Sequence, residues 1–315
     1  MKFEDVKEKL RGPMVAMVTP FKPNFDLDLD GLKANTRYLI ENGIKNGSGV
    51  LLSAGAGGEF PSMTNEERKK VLSICIEEAG DKVPVVFGAQ HTNLKDIIEL
   101  CNYAEEMGAV CVQLSPPYYW SQSREEVFTF YKIVCDATNI GIMVYNTTWH
   151  GTVDGAGIDR ELMSRLVELE NVVALKWSSP DPFKYMRVLK EFSDKVAIFD
   201  NQWKFTSTLL GAKGIIDPIG NFAPAYVSKL WSLLEKRDYE AVLNGFWELY
   251  IPWYEWAREV QKEGIHGEGG LIKPAMKMLG LPCGPARPPY NLPLSKKLEN
   301  KLREILINAG LSVNR

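Results

Sequence analysis

Two residues stand where their side chains could do covalent chemistry. Lys176 follows the apolar run Val172 to Leu175, and Tyr145 ends another, Gly141 to Val144. An apolar run closed by turn residues, here Ser178, Ser179 and Pro180, reads as a strand buried on both faces. Lysine is almost never buried unless it is paired or used. Burial disfavours the ammonium form, and the freed amine attacks a ketone to give a Schiff base. Read alone, Lys176 could equally snorkel to solvent or pair with a carboxylate. Tyr145 could move protons if a second hydroxyl relays them, or it could be a packed aromatic whose hydroxyl is satisfied. Two neighbouring strands ending in tyrosine and lysine favour the chemical reading of both. The stretch Gly55-Ala56-Gly57-Gly58-Glu59 can offer backbone N–H groups to an anion, or be a plain tight turn. It is too short for a P-loop and no lysine follows, so a carboxylate suits it better than a nucleotide phosphate. Glu59 is expected to cap neighbouring backbone donors rather than act as a base.

These residues need a scaffold that brings strand ends together. Strand signals recur at 12–19, 49–53, 83–88, 109–114, 141–145, 172–177, 196–199 and 214–216, with helical periodicity or capping signals between them. Thr64 with Glu67, and Ser123 with Glu126, are capping boxes. Eight strand-then-helix units predict an α/β fold, a (β/α)₈ TIM barrel, over residues 1–230. An open doubly wound sheet is the other option, but it needs fewer units. Residues 231–315 predict a C-terminal helical extension, with helices over 231–262, 271–279 and 295–309 and an extended loop over 282–293. Chemistry in such barrels sits at the C-terminal ends of the strands. That rule selects Ala56, Gly57, Gly58 and Glu59, then Tyr118 and Tyr119, then Tyr145, Asn146 and His150, then Lys176. Asp200, Asn201 and Gln202 follow the seventh strand, and Ile216, Asp217 and Asn221 end or follow the eighth. These last residues are candidates for a hydroxyl-bearing substrate tail. His150 alone reads more readily as a solvated loop residue. Trp120, Trp149 and Trp177 could wall a pocket or pack the loops.

Composition excludes several function classes. The 315 residues are 45% hydrophobic and 24% charged, as in soluble globular proteins. A net charge of -3 and a pI near 5.8 give no footprint for nucleic acid. No apolar stretch reaches the length of a membrane span, and the charged start lacks an apolar signal core. Five scattered cysteines without a CxxC pair read as free thiols in a reducing cytoplasm. The three histidines show no metal-ligand spacing, so neither a metal nor another cofactor is expected.

The sequence resembles the dihydrodipicolinate synthase and N-acetylneuraminate lyase family of class I Schiff-base aldolases. The resemblance rests on PMVAMVTPF at 13–21, GAGGE at 55–59, Pro117-Tyr118-Tyr119, Val144-Tyr145-Asn146 and Leu175-Lys176. It extends to Gly214 to Asn221, IKPAMKMLG at 272–280 and Gly284 to Pro289. It implies a barrel with a helical extension, an imine between Lys176 and pyruvate or another 2-oxo acid, and Tyr145 as the acid–base partner. It implies that the glycine turn holds the 2-oxo acid carboxylate. It also implies that Tyr119 reaches a neighbouring subunit of a homodimer or homotetramer.

Two departures bear on the substrate. The family turn carries two hydroxyl residues where Ala56 and Gly57 stand, so the side-chain hydroxyl relay is missing. The synthases follow Tyr-Asn with a loop holding a proline and an arginine for the second substrate. Here that loop is Thr147-Thr148-Trp149-His150-Gly151, which argues against lysine biosynthesis. GGEFPSM at 57–63 and GPARPPY at 284–290 look more like the sugar-acid dehydratase branch, although that branch has arginine where Thr147 stands. The expected activity is therefore dehydration or retro-aldol cleavage of a 2-keto-3-deoxy sugar acid. A dihydrodipicolinate synthase with a remodelled pocket and a non-catalytic 2-oxo acid binding barrel are the rivals.

Overall fold

The computed structural model describes residues 2–146, 157–178, 181–201 and 204–314. Eight parallel strands close into a barrel in chain order. They are β1 Gly12–Ala16, β2 Val50–Ser53, β3 Val85–Gly88, β4 Cys111–Leu114, β5 Gly141–Asn146, β6 Val172–Trp177, β7 Ala197–Asp200 and β8 Gly214–Ile216. Every residue in all eight is buried. That is why they read as unbroken apolar runs: a barrel strand packs side chains inward on one face and against helices on the other. The fold is a (β/α)₈ TIM barrel followed by C-terminal helices.

Helices follow the strands from Leu29–Glu41 to Pro224–Glu235. Both capping boxes form, at Thr64 with Glu67 and at Ser123 with Glu126. The predicted single helix over 231–262 is instead broken. Pro224–Glu235 ends before Arg237, which takes φ 62°, and Asp238 then caps Tyr239–Gly245 through the Ala241 N–H. A π-helical stretch, Phe246–Tyr250, leads into Ile251–Lys262. The first of these helices starts earlier than 231, at Pro224, a residue favoured at a first helical turn. Glu268–Met278 and Lys296–Asn308 complete the extension.

The chain forms two compact units. One comprises Met1–Met14, Lys45–Leu52 and Asp81–Asp217, and the other Val15–Ile44, Ser53–Gly80 and Pro218–Arg315. Among the described residues no helix is long and apolar enough to cross a membrane.

Candidate active site

Strand register decides which side chains share the barrel interior. Tyr145 on β5 is the registered partner of Lys176 on β6. Registered residues of parallel neighbours point to the same face, and alternate residues to opposite faces. Trp177 stacks on Tyr185 of the helix Pro182–Phe192, with ring centroids 6.5 Å apart. Trp177 therefore faces the helices, and Lys176 and Tyr145 face the barrel interior. There the Lys176 Nζ lies over the Tyr145 ring, 3.9 Å from its centroid. Lys176 is 3% exposed. A buried amine against a tyrosine is the arrangement that imine chemistry requires: a nucleophile with a proton-transfer group beside it.

The same register moves Asp200 out of the interior. It pairs with Trp177 and so faces the helices. There it lies close enough to Tyr185 that, after burial, its charge is the next cause raising that phenol's pKa. Asp200 buttresses the back of β6 and β7 and does not line the mouth. Sequence position at a strand end suggested otherwise, because parity cannot be read until the register is known. Asn201, one residue on, returns to the inner side. Its N–H donates to Trp177 O at 3.1 Å and its Nδ2 to Ser178 Oγ at 3.0 Å. Asn146 is locked by the chain, accepting from Ile158 N at 2.8 Å and donating to Ser178 O at 3.3 Å. Ile216 ends β8 facing inward with Met14, its registered partner, and Asp217 N donates to Met14 O at 2.9 Å. His150 and Gln202, with Thr147, Thr148, Trp149 and Gly151, lie outside the described residues.

Sequence reading missed a second buried lysine on this rim. Lys204 takes φ 52° and its Nζ donates to Ile216 O at 2.7 Å and Asn201 O at 3.3 Å. It ties the ends of β7 and β8 together. No apolar run announces it, since it follows a short loop.

The glycine turn belongs to the other unit. Gly58 N donates to Gly55 O, and Glu59 N to Ala56 O, at 3.1 and 2.9 Å. The N–H groups of Ala56 and Gly57 stay outside that ladder and can serve an anion. The family's hydroxyl could not be restored simply at position 57. A β-carbon there would stand 2.8 Å from Ala16 O and 3.3 Å from Ala16 Cβ. Glu59 holds the turn in the left-handed region at φ 59°. Its role is structural, as expected, but the backbone donor it caps is remote in sequence. Its Oε1 makes a 2.6 Å ion pair with Lys273, and its Oε2 accepts from Arg287 N at 3.0 Å. A β-carbon on Gly269 would stand 2.5 Å from that Oε1, so glycine there makes room for the carboxylate. Asn221 is likewise spent on main chain, accepting from Val18 N at 2.8 Å and donating to Ala16 O at 2.9 Å. Tyr119 is 89% exposed, with φ 108° and its ring edge-on to Trp120.

A closed parallel barrel with a buried lysine on β6 facing a tyrosine on β5 defines a class: lysine-dependent barrel lyases. Residues 9–309 match the dihydrodipicolinate synthetase family, and the chain belongs to it. It is similar to the 4-hydroxy-tetrahydrodipicolinate synthase of Methanothrix thermoacetophila, at 32% identity over 94% of this chain and 96% of the relative. It is similar also to that of Bradyrhizobium diazoefficiens, at 31% over 97% and 98%. The structure of dihydrodipicolinate synthase from Aquifex aeolicus superposes with a TM-score of 0.82 at 26% identity, covering 97% of this chain and all of that one. The protein is an enzyme, a lyase.

Proposed function

We propose that the protein is a 4-hydroxy-tetrahydrodipicolinate synthase, condensing pyruvate held as an imine on Lys176 with aspartate semialdehyde. The observation that carries the imine is Lys176 buried over the Tyr145 ring inside the barrel. The curated relatives near 30% identity carry that synthase name, and this outweighs the loop departure that had favoured a sugar acid. Lys176 supplies the nucleophilic amine and the electron sink, and Tyr145 moves protons at the carbinolamine. Asn201 and Ile216 lie on the rim where the second substrate would enter. The enzyme acts in the cytoplasm as a homodimer or homotetramer, with the exposed Tyr119 ring at a subunit contact. The barrel of residues 1–230 carries the chemistry, and residues 231–315 are its extension.

A second reading keeps one supporting observation. The turn has no hydroxyl at 56 or 57 and no room for one at 57. A 2-keto-3-deoxy sugar acid would bring its own hydroxyls, so a dehydratase or aldolase acting on it could do without the relay. Steady-state assays on both substrate sets decide. The synthase reading expects kcat/KM with pyruvate and aspartate semialdehyde in the usual enzyme range, about 10⁴–10⁸ M⁻¹s⁻¹. Turnover of the sugar acid in that range, with none of the semialdehyde, overturns it.

A further inference from the structure

The barrel interior beside and beneath Lys176 holds two glutamines that no part of the proposed reaction uses. Gln113 on β4 is 0% exposed, and among the described residues neither its Nε2 nor its Oε1 has a hydrogen-bond partner. It is the registered partner of Met143 on β5 and of Gly88 on β3. Met143 in turn pairs with Ala174. Met143 and Ala174 lie two residues before Tyr145 and Lys176, so all five share the inner face. Gln113 therefore sits one layer below the lysine–tyrosine pair, about 7 Å down the barrel at the usual rise per residue. Gln90 leaves β3 two residues after Gly88, on the same face, and Ala89 N still donates to Gln113 O at 3.1 Å. Gln90 is 2% exposed, and its Oε1 has no partner among the described residues either. Ser115, two residues past Gln113, follows the registered pair Leu114–Val144 and so stands at the level of Tyr145.

A buried amide without partners is costly, and leucine would fill the layer of Met143 and Ala174 at lower cost. A water molecule bound inside a protein takes two to four polar partners. Gln113 offers a donor and an acceptor, and Gln90 a further acceptor, on one face. We propose that Gln90 and Gln113 hold a water inside the barrel and that this water relays back to Tyr145 the proton released by the carbinolamine nitrogen. The inference rests on the imine reading above.

The chemistry needs such a relay. The Lys176 amine adds to the ketone carbon, forming a C–N bond, the ketone oxygen takes a proton from the Tyr145 phenol, and the cationic nitrogen releases a proton, leaving a neutral carbinolamine and a phenolate. The C–O bond of the carbinolamine then breaks, the nitrogen lone pair forms the iminium, and the hydroxyl leaves as water after a further protonation. Tyr145 must take up that nitrogen proton between these events, so that it can protonate the departing hydroxyl, and the proton needs a carrier. The turn contributes no side-chain hydroxyl for this, since positions 56 and 57 are alanine and glycine. A water held by Gln113 and Gln90, with the Ser115 hydroxyl above it, takes that part. Gln90 and Gln113 are positioning residues, since they act through the water.

The test is the rate at which borohydride traps pyruvate on the enzyme, followed across pH and in deuterated water. Gln113→Leu fills the same volume without the amide. It is expected to fold, to reach the same final labelling, and to trap about tenfold to a hundredfold more slowly, up to the lower bound of what directly positioned acid–base groups give, since it acts through the water. Its pH profile and solvent isotope effect should shift. Gln90→Met should show the same change more weakly, and it keeps the test decisive if Gln113→Leu does not fold. Wild-type trapping rates with an unchanged pH profile in either folded variant overturn the water relay while leaving the imine intact. A wild type that takes no label overturns the imine reading and the relay with it.

Discussion

Lys176 and Lys273 are buried almost equally, 3% and 4% exposed, yet their surroundings differ in kind. Lys273 is held by the Glu59 carboxylate at 2.6 Å and the Pro285 carbonyl at 2.8 Å, and lies 4.5 Å over the Phe21 ring. Burial pulls its pKa down and the charge of Glu59 opposes the pull. Lys176 lies over a tyrosine that ends the neighbouring strand. Burial alone therefore does not mark a reactive lysine. A lysine locked into a carboxylate and a carbonyl staples two stretches of chain, here the glycine turn and the helix Glu268–Met278. A lysine set against a proton-transfer group on an inner barrel face is placed to react.

Removing each ammonium should break the comparison in opposite directions, and these are the largest effects expected. Lys176→Met should abolish turnover while melting at or above the wild-type temperature, because a buried cation is replaced by an apolar chain of similar size. Lys273→Met should lose about 3–5 kcal/mol of stability, since it leaves Glu59 buried without its cation. The double variant Glu59→Gln with Lys273→Met should recover part of that loss, as coupled partners do. Denaturant unfolding and a single activity assay measure all three. A Lys273→Met enzyme of unchanged stability would mean that the staple contributes nothing.

A smaller effect sharpens the picture around Arg287. Its guanidinium, over the Phe21 ring, hydrogen-bonds Glu67 and the Phe25 and Ser62 carbonyls. The Arg287 hydrogen bond is the main cause holding the Glu67 carboxyl below its ordinary value of 4.5. A carboxylate with a depressed folded-state pKa stabilises the fold above its unfolded pKa and loses that contribution as pH falls through the folded value. Glu67→Gln should therefore be less stable than wild type at pH 7, by about 1 kcal/mol after discounting for solvent screening. The gap should close only below the ordinary carboxylate range. A gap that widens on acidification would reverse the sign assigned to this pair.

Much of the fold was legible because barrel strands are buried on both faces. Val172 to Trp177 and Gly214 to Ile216 read directly as apolar runs between turn residues, and both match the strands found. Lys176 was legible for the same reason, as a charge at the end of such a run. What stayed hidden depends on register and on distant partners. Asp200 and Asn201 are adjacent, yet only the pairing of Asp200 with Trp177 shows that the first faces helices and the second the mouth. The β5–β6 register itself slips between Ile142 and Met143, which no local signal announces. Glu59 and Lys273 are remote in sequence, so the turn's anchor could not be read from the turn. Gln113 sits in a strand whose other residues are apolar or cysteine, and its lack of a partner is visible only in three dimensions.

The central claim is that Lys176, and no other buried lysine, carries the imine. Borohydride reduction in the presence of pyruvate followed by peptide mass mapping tests it most directly, because reduction turns a Schiff base into a stable amine. The expected result is one added mass on the peptide containing Lys176, and none on Lys176→Met. Label on the peptide containing Lys204 or Lys273 instead, or undiminished labelling of Lys176→Met, would contradict the account.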